Sequence, residues 1–99
     1  TKADLEGANL QKANLTKANL YKSDFYDADL REAILRKANL EDAILIDADL
    51  RNADLRGANL KGADVHSGTF NNLEGAIVNR FTELPDGLIA EQYKGLIWV

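Results

Sequence analysis

The chain has 99 residues, a formal net charge of −4 and no cysteine, so it allows one small domain without disulfides or cysteine-ligated zinc. Its acidic balance argues against direct binding to nucleic acid, which requires a basic surface. No stretch approaches the roughly 18 consecutive apolar residues of a membrane span, and the start lacks the pattern of a signal peptide.

An apolar residue, mostly leucine, recurs at every fifth position through the first 70 residues. A small residue stands two positions before each, and Asp or Asn usually lies between the two. Thr1 and Lys2 fit the last two places of an earlier unit and the chain lacks methionine, so we expect it to be a piece of a longer protein. The residues predicted to form the core are Leu5, Leu10, Leu15, Leu20, Phe25, Leu30, Leu35, Leu40, Leu45, Leu50, Leu55, Leu60, Val65 and Phe70.

A period of five fits neither a straight helix nor a flat strand. In an α-helix these leucines would scatter around the whole circumference, and in a strand consecutive leucines would point to opposite faces. The conflict disappears if the chain turns by about 90° after each unit, because every leucine then faces one central axis. Four units close a coil of twenty residues, which predicts an all-β solenoid of about 3.5–4 coils with backbone hydrogen bonds along the axis.

The tandem motif resembles that of the pentapeptide-repeat family. It runs as ADLEG, ANLQK, ANLTK, ANLYK, SDFYD and ADLRE, and continues through ADVHS, covering about residues 3 to 70. The resemblance implies a right-handed quadrilateral β-helix. Proteins of this family are numerous in cyanobacteria, where most have no assigned biochemical role, and some occur as domains of larger or membrane-attached proteins or in the thylakoid lumen. The resemblance leaves a cytoplasmic and a thylakoid-lumenal location both open for this domain. One subset of the family binds DNA gyrase by mimicking DNA.

The repeat is interrupted after Phe70. Leu73 and Val78 are predicted to be two more central positions, shifted by two residues, which makes Asn71 and Asn72 a distorted corner. The predicted organisation is a solenoid over 1–83, with regular repeats over 3–70, a phase break near 71–72, an irregular last coil over 73–83, and a C-terminal cap over 84–99.

The C-terminal segment is predicted to cover the open end of the stack. Residues 84–87 read as a turn, and a short helix is expected from Leu88 to Tyr93 with Gly95 as its stop. An apolar end also suits a second copy of the chain, so a monomer and a homodimer through this end both stay open. The residues expected to cover the last coil are Leu88, Ile89, Leu96, Ile97 and Trp98.

Stacking at twenty-residue intervals assigns the outward residues to four sides. One side has only acidic charges, −6 in total, from Asp4, Glu6, Asp24, Asp27, Asp47 and Asp64. The side opposite sums to +3, from Lys17, Arg36, Lys37 and Arg56 against Asp54, and the other two sides balance.

Ile34 and Ile44 replace the usual Asp or Asn and point outward. Apolar residues ringed by charge mark interaction surfaces, and the predicted partner-binding residues on the acidic side are Asp24, Tyr26, Asp27, Ile44, Ile46 and Asp47. The alternative for this patch is that aromatic and β-branched residues there only reflect a preference for strands.

No catalytic, metal or cofactor site is expected. His66, the only histidine, lies on the surface without a nucleophile beside it, and stacked aspartates more often bond to nearby backbone than to a cation. Asn19, Asn39 and Asn59 are expected to form a ladder of side-chain hydrogen bonds along the stack. The sequence therefore predicts a non-catalytic scaffold with an unidentified protein partner. The alternative function is a DNA-mimicking binder of gyrase.

Overall fold

The computed structural model describes residues 2–68 and 70–99. Thr1, where the predicted solenoid begins, and Thr69 lie outside the described residues. Within that part of the chain the regular elements are strand β1 (Ile77–Val78), helix α1 (Ala90–Gly95) and strand β2 (Ile97–Trp98), and β1 pairs with β2 in parallel. The remaining strand-like pairing consists of isolated parallel bridges.

The backbone pairs with itself at intervals of twenty residues. Asp4 bridges to Asp24, Asp24 to Ile44 and Ile44 to Asp64, all in parallel, and three further ladders start at Asn9, Asn14 and Asn19. The hydrogen bonds run along the stack: the Leu5 N–H donates to the Asp24 carbonyl at 2.8 Å, and the Asp24 N–H donates to the Ala3 carbonyl at 2.9 Å. Four five-residue units therefore fill one coil, and each unit contributes one rung to one wall.

Each unit ends in a tight turn. In the first, the Ala8 N–H donates to the Leu5 carbonyl at 3.0 Å, and Gly7 has a φ of 66°. A positive φ at the third residue is the type II pattern, which favours glycine. Nine residues other than glycine also hold a positive φ in these turns, so the ladders on either side must keep them in a conformation that costs about 1–2 kcal/mol each.

The residue before each leucine closes the turn with its side chain. Asp4 Oδ1 accepts a hydrogen bond from the Glu6 N–H at 3.2 Å. The same contact forms at Asn9, Asn14, Asn19, Asp24, Asp29, Asn39, Asp49, Asp54, Asn59 and Asp64. Ile34 and Ile44 have no side-chain acceptor for it. This bond explains why Asp and Asn fill the position. It also replaces the predicted asparagine ladder, because the Oδ1 atoms of Asn19, Asn39 and Asn59 accept from backbone within their own turns.

The axis of the stack is filled by the recurring apolar residues. Phe25 and every fifth residue from Leu30 to Leu60 are at most 1% exposed, and the small residues Ser23 and Ala28 to Ala58 in the same register are buried beside them. Leu5, Leu10 and Leu15 are half-buried, because no described residue covers the outer side of the first coil. Each fully buried side chain contributes about 1.5–3 kcal/mol.

The prediction that Phe70 belongs to the core is wrong. Its side chain is 38% exposed and lies beside the Arg51 guanidinium, whereas Leu73 is buried. The Leu45 N–H donates to the residue 19 positions later, but the Leu50 N–H donates to Asn72, 22 positions later. The chain thus contains three extra residues at this corner. Leu73 is the direct successor of Leu50 in the core rather than an added position beyond Phe70.

The C-terminal segment differs from its prediction in the helix and in what it buries. Helix α1 begins two residues later than expected and includes Gly95 as its last residue. Leu96 is buried and Leu88 is half-buried. The other residues expected to cover the last coil, Ile89, Ile97 and Trp98, are at least half exposed. Ile97 and Trp98 belong to β2, which in the described chain pairs with β1 on one side only. Ile97 pairs with Ile77 and adds a fifth rung to the ladder that starts at Asn14.

Candidate interaction surface

The six predicted partner-binding residues lie together on one wall. This acidic wall comprises residues 4–7, 24–27, 44–47 and 64–67. Asp24 and Ile44 are consecutive rungs of its ladder, and the Asp27 N–H donates to the Ile46 carbonyl at 3.0 Å. Tyr26 and Ile46 therefore occupy equivalent places one coil apart, as do Asp27 and Asp47.

The acidic wall has an apolar centre. The side chains of Tyr26 and Ile44 are 42% and 39% exposed, and Ile46 is half-buried. Ile44 stands between Asp24 and Asp64 in the ladder, at a place where the other rungs have carboxylates. Three adjacent side chains thus offer apolar surface within a ring of acids, the arrangement found at protein–protein contacts.

The carboxylates of this wall are available for an external partner. Within residues 2–68 and 70–99, none of its six acidic residues forms an ion pair. Asp4, Glu6 and Asp24 bring carboxylate oxygens within 4.8 Å of one another, but Asp4 and Asp24 already accept backbone hydrogen bonds in their turns. His66 is exposed on the same wall and accepts a backbone hydrogen bond from Asp47 at 2.9 Å.

The basic wall, residues 14–17, 34–37, 54–57 and 77–80, is organised around one carboxylate. Asp54 is 9% exposed. The Arg56 side chain donates to both of its oxygens, from Nε at 2.9 Å and from Nη2 at 2.7 Å, and Arg36 Nε donates to Oδ2 at 2.6 Å. The hydrogen bonds from Arg56, followed by the one from Arg36, hold the pKa of Asp54 far below its usual value near 3.8.

Replacing Asp54 by asparagine should lower stability in a pH-dependent way. Because the pKa of Asp54 is lower in the folded chain than in the unfolded chain, its carboxylate stabilises the fold at any pH above the unfolded value. This stabilisation is lost as the pH falls from the unfolded value towards the folded one. We expect Asp54→Asn to be about 1–3 kcal/mol less stable at neutral pH, with the difference narrowing from about pH 4 downward. Urea unfolding at a series of pH values measures this difference. The control is Asp64→Asn, because Asp64 is exposed and forms no ion pair with a described residue. A difference that stayed constant with pH would contradict it.

A buried polar network joins the C-terminal segment to the stack. Asn72 is fully buried, and its Nδ2 donates to the carbonyl oxygens of Ala48 at 3.1 Å and Val65 at 3.0 Å. Gln92, in α1, donates to the same Val65 oxygen and to Asn72 Oδ1. The sequence indicated only a distorted corner here, and nothing in the local pattern singles out Gln92. The bonds of Asn72 to Ala48 and of Gln92 to Val65 connect residues 24 and 27 positions apart.

Comparison with known proteins identifies the repeat. A family model described as pentapeptide repeats (8 copies) matches residues 1–36 and 33–72. No curated protein matches this chain. Within the described residues, no helix has the length and apolar character needed to span a membrane.

Solved structures of pentapeptide repeat proteins resemble the chain. Rfr23 from the cyanobacterium Cyanothece 51142 is 38% identical with a TM-score of 0.75, over 81% of this chain and 52% of Rfr23. A protein from Nostoc Pcc 7120 is 32% identical with a TM-score of 0.49, over 99% and 86%. One from the Arabidopsis thaliana thylakoid lumen is 31% identical with a TM-score of 0.40, over 91% and 68%. The chain spans about half the length of Rfr23. With the family motif over residues 1–72 and the twenty-residue ladders that this motif builds, the chain belongs to the pentapeptide repeat family.

Proposed function

We propose that this chain is a non-catalytic scaffold that binds a protein partner through its acidic wall. The partner presents basic side chains around an apolar contact, which complement the carboxylates and the apolar centre of the wall. The observation that carries the proposal is the placement of Tyr26, Ile44 and Ile46 side by side on a wall without lysine or arginine.

The energetics of the wall suit recognition rather than stability. Stacked like charges on one surface repel each other, which opposes folding unless a partner neutralises them. Ile44 has no side-chain acceptor for the turn-closing hydrogen bond that Asp4, Asp24 and Asp64 accept at the equivalent places. An isoleucine at this position therefore does not stabilise the turn as Asp or Asn would. Oppositely charged partners would be steered to such a surface, and salt would weaken the encounter.

A pull-down with matched variants tests the proposal. The triple variant Asp24→Lys, Asp27→Lys, Asp47→Lys should lose the captured proteins, because it reverses the charge around the apolar centre. Ile44→Asn is the sharper variant, because asparagine restores the turn hydrogen bond, worth about 1 kcal/mol, while removing apolar contact area. We expect it to fold at least as stably as the original chain and to bind its partner more weakly.

The control is a reversal of two acidic charges on a neighbouring wall. Glu41→Lys with Asp42→Lys alters two exposed or half-buried acids outside the acidic wall and should leave capture unchanged. Captured proteins would be identified by mass spectrometry and their binding repeated at raised salt. Equal capture by the original chain and the triple variant would exclude this wall as the binding surface.

We propose a right-handed quadrilateral β-helix as the form of this scaffold, with the solenoid over 1–83 and a C-terminal cap over 84–99. Two contacts support the cap: Leu84 and Leu88 pack against the core, and Gln92 hydrogen-bonds to Val65 and Asn72. The exposed apolar residues Ile97 and Trp98 would suit a second copy at this end. Light scattering over a range of concentrations, with Trp98→Ala as the variant, distinguishes a monomer from such a homodimer.

The alternative function, a DNA-mimicking binder of gyrase, draws support from the acidic wall alone. The largest dimension of the described residues is 31 Å, the length of about nine base pairs at 3.4 Å each. A supercoiling assay with purified gyrase decides this alternative, because a mimic would inhibit the reaction and lose inhibition in the triple variant.

A further inference from the structure

A groove on the basic wall is a feature that the five-residue repeat does not require. It has a volume of about 460 Å³. The hollows beside His66, of about 280 Å³, and beside Phe70, of about 270 Å³, are smaller. We call it the basic groove. Its lining residues are Arg36, Lys37, Arg56, Gly57, Asn79 and Phe81.

The groove forms where the chain leaves the regular ladder. On the two coils before it, the N–H groups of Lys17 and Lys37 donate to the backbone carbonyls of Arg36 and Arg56. At the third, the Gly57 N–H donates instead to the side chains of Asn79, at 3.1 Å, and Thr82, at 3.2 Å.

The irregular turn at residues 79–82 gives the groove an aromatic side. Asn79 Oδ1 also accepts from the Phe81 N–H at 3.0 Å, which places Phe81 at the tip of the turn. Its ring is 64% exposed, and the Arg80 guanidinium lies 4.8 Å from its centroid. At Gly57 the groove has no side chain where Lys17 and Lys37 stand on the earlier coils. The result is an open hollow with an aromatic ring at its edge.

The cations of the groove converge on one place. Arg36 and Arg56 both donate to the same Oδ2 of Asp54, which fixes the two guanidinium groups side by side while leaving other N–H groups of each without a protein acceptor in the described chain. Lys37, unlike the two arginines, forms no ion pair with any described residue. Arg36, Lys37 and Arg56 line the hollow, and Asp54 is the carboxylate bound to the two arginines. The local charge is therefore positive, although the net charge of the chain is −4.

We infer that the basic groove binds an aromatic monophosphate of the size of a nucleoside monophosphate. Guanidinium and ammonium donors held in place recognise a phosphate group, and the exposed Phe81 ring offers a face on which a planar base stacks. The volume lies within the range of small-ligand sites. This function is separate from the protein partner of the acidic wall, since the two surfaces share no residue.

Calorimetric titration with four probes at constant ionic strength tests the inference: AMP, ribose 5-phosphate, adenosine and inorganic phosphate. AMP should bind about tenfold or more tightly than ribose 5-phosphate, because only AMP has the base that stacks. Adenosine, which lacks the phosphate, should bind more weakly than AMP. If AMP bound no better than ribose 5-phosphate, or did not bind, the inference would be wrong.

Two variants separate the contributions of the Phe81 ring and of the Lys37 ammonium group to the affinity for AMP. Phe81→Ala should bring the affinity for AMP down to that for ribose 5-phosphate while leaving inorganic phosphate unaffected. Lys37→Ala should weaken every phosphate-containing probe several-fold. Both side chains are exposed, so both variants should fold, as thermal unfolding would verify. Lys12→Ala, an exposed lysine in the equivalent turn of another wall, is the control. Equal losses in Lys12→Ala and Lys37→Ala would mean unspecific attraction and would overturn the site.

Discussion

Replacing Leu35 by lysine should abolish cooperative folding of the chain. Leu35 is fully buried and lies between Leu15 and Leu55 along one wall. A lysine there loses the apolar burial of leucine and brings an ammonium group into a core without a partner for it. We expect a loss of more than about 4 kcal/mol, which is comparable to the whole stability of a small domain. Circular dichroism during thermal and urea unfolding would measure it.

Leu15→Lys is the matched control for this prediction. Leu15 occupies the same place one coil earlier but is only half-buried, so its lysine can extend the ammonium group to water along an apolar stem. The control should unfold cooperatively with a smaller loss. If Leu35→Lys and Leu15→Lys unfolded alike, the filled axis would not be the main source of stability.

Asn72→Asp should have the second largest effect. The substitution keeps the shape of the side chain but removes the donor that serves the carbonyl oxygens of Ala48 and Val65. A carboxylate in that place would face two carbonyl oxygens in a site without exposure to water. We expect a loss of about 2–4 kcal/mol at neutral pH, seen as a lower urea midpoint and earlier loss of contacts between the C-terminal segment and the stack.

The pH dependence of this loss distinguishes a buried charge from a packing defect. Burial raises the pKa of the carboxyl group introduced by Asn72→Asp above its value in the unfolded chain, so the destabilisation grows as the pH rises through the unfolded value, about 3.9, and shrinks below it. Asn59→Asp is the control, since Asp occupies the equivalent place in other units. It should change stability by less than about 0.5 kcal/mol. Equal effects of the two substitutions would contradict the role assigned to Asn72.

The regular part of the fold was predictable because one rule repeats. Each unit requires an inward leucine, a small residue beside it and a side-chain acceptor that closes the turn, and these needs are local enough to be seen in single units. Phe70 was wrongly placed because it continues the five-residue period by coincidence. The three extra residues at that corner are recognised only from the hydrogen bond of Leu50 to Asn72, which the period cannot reveal.

The candidate surfaces divide in the same way. The acidic wall follows from the period, since residues twenty apart must stack once the coil is known, and the structure places Tyr26, Ile44 and Ile46 together as the register requires. The basic groove does not follow from it. It depends on the irregular turn that brings Phe81 beside Gly57. The hydrogen bonds that attach this turn to the stack run from the Gly57 N–H to Asn79 and Thr82, more than twenty residues away in the chain.

By itself, the sequence determined the five-residue unit, the twenty-residue coil, the buried axis and the distribution of charge over the walls, because these depend on spacing and on the steric limits of a single turn. Only the tertiary structure decided which residue follows Leu50 in the core, which apolar residues of the C-terminal segment are buried, and how Asn72 and Gln92 join that segment to the stack. These outcomes depend on hydrogen bonds between distant residues, whose partners are chosen by the packing of the whole chain.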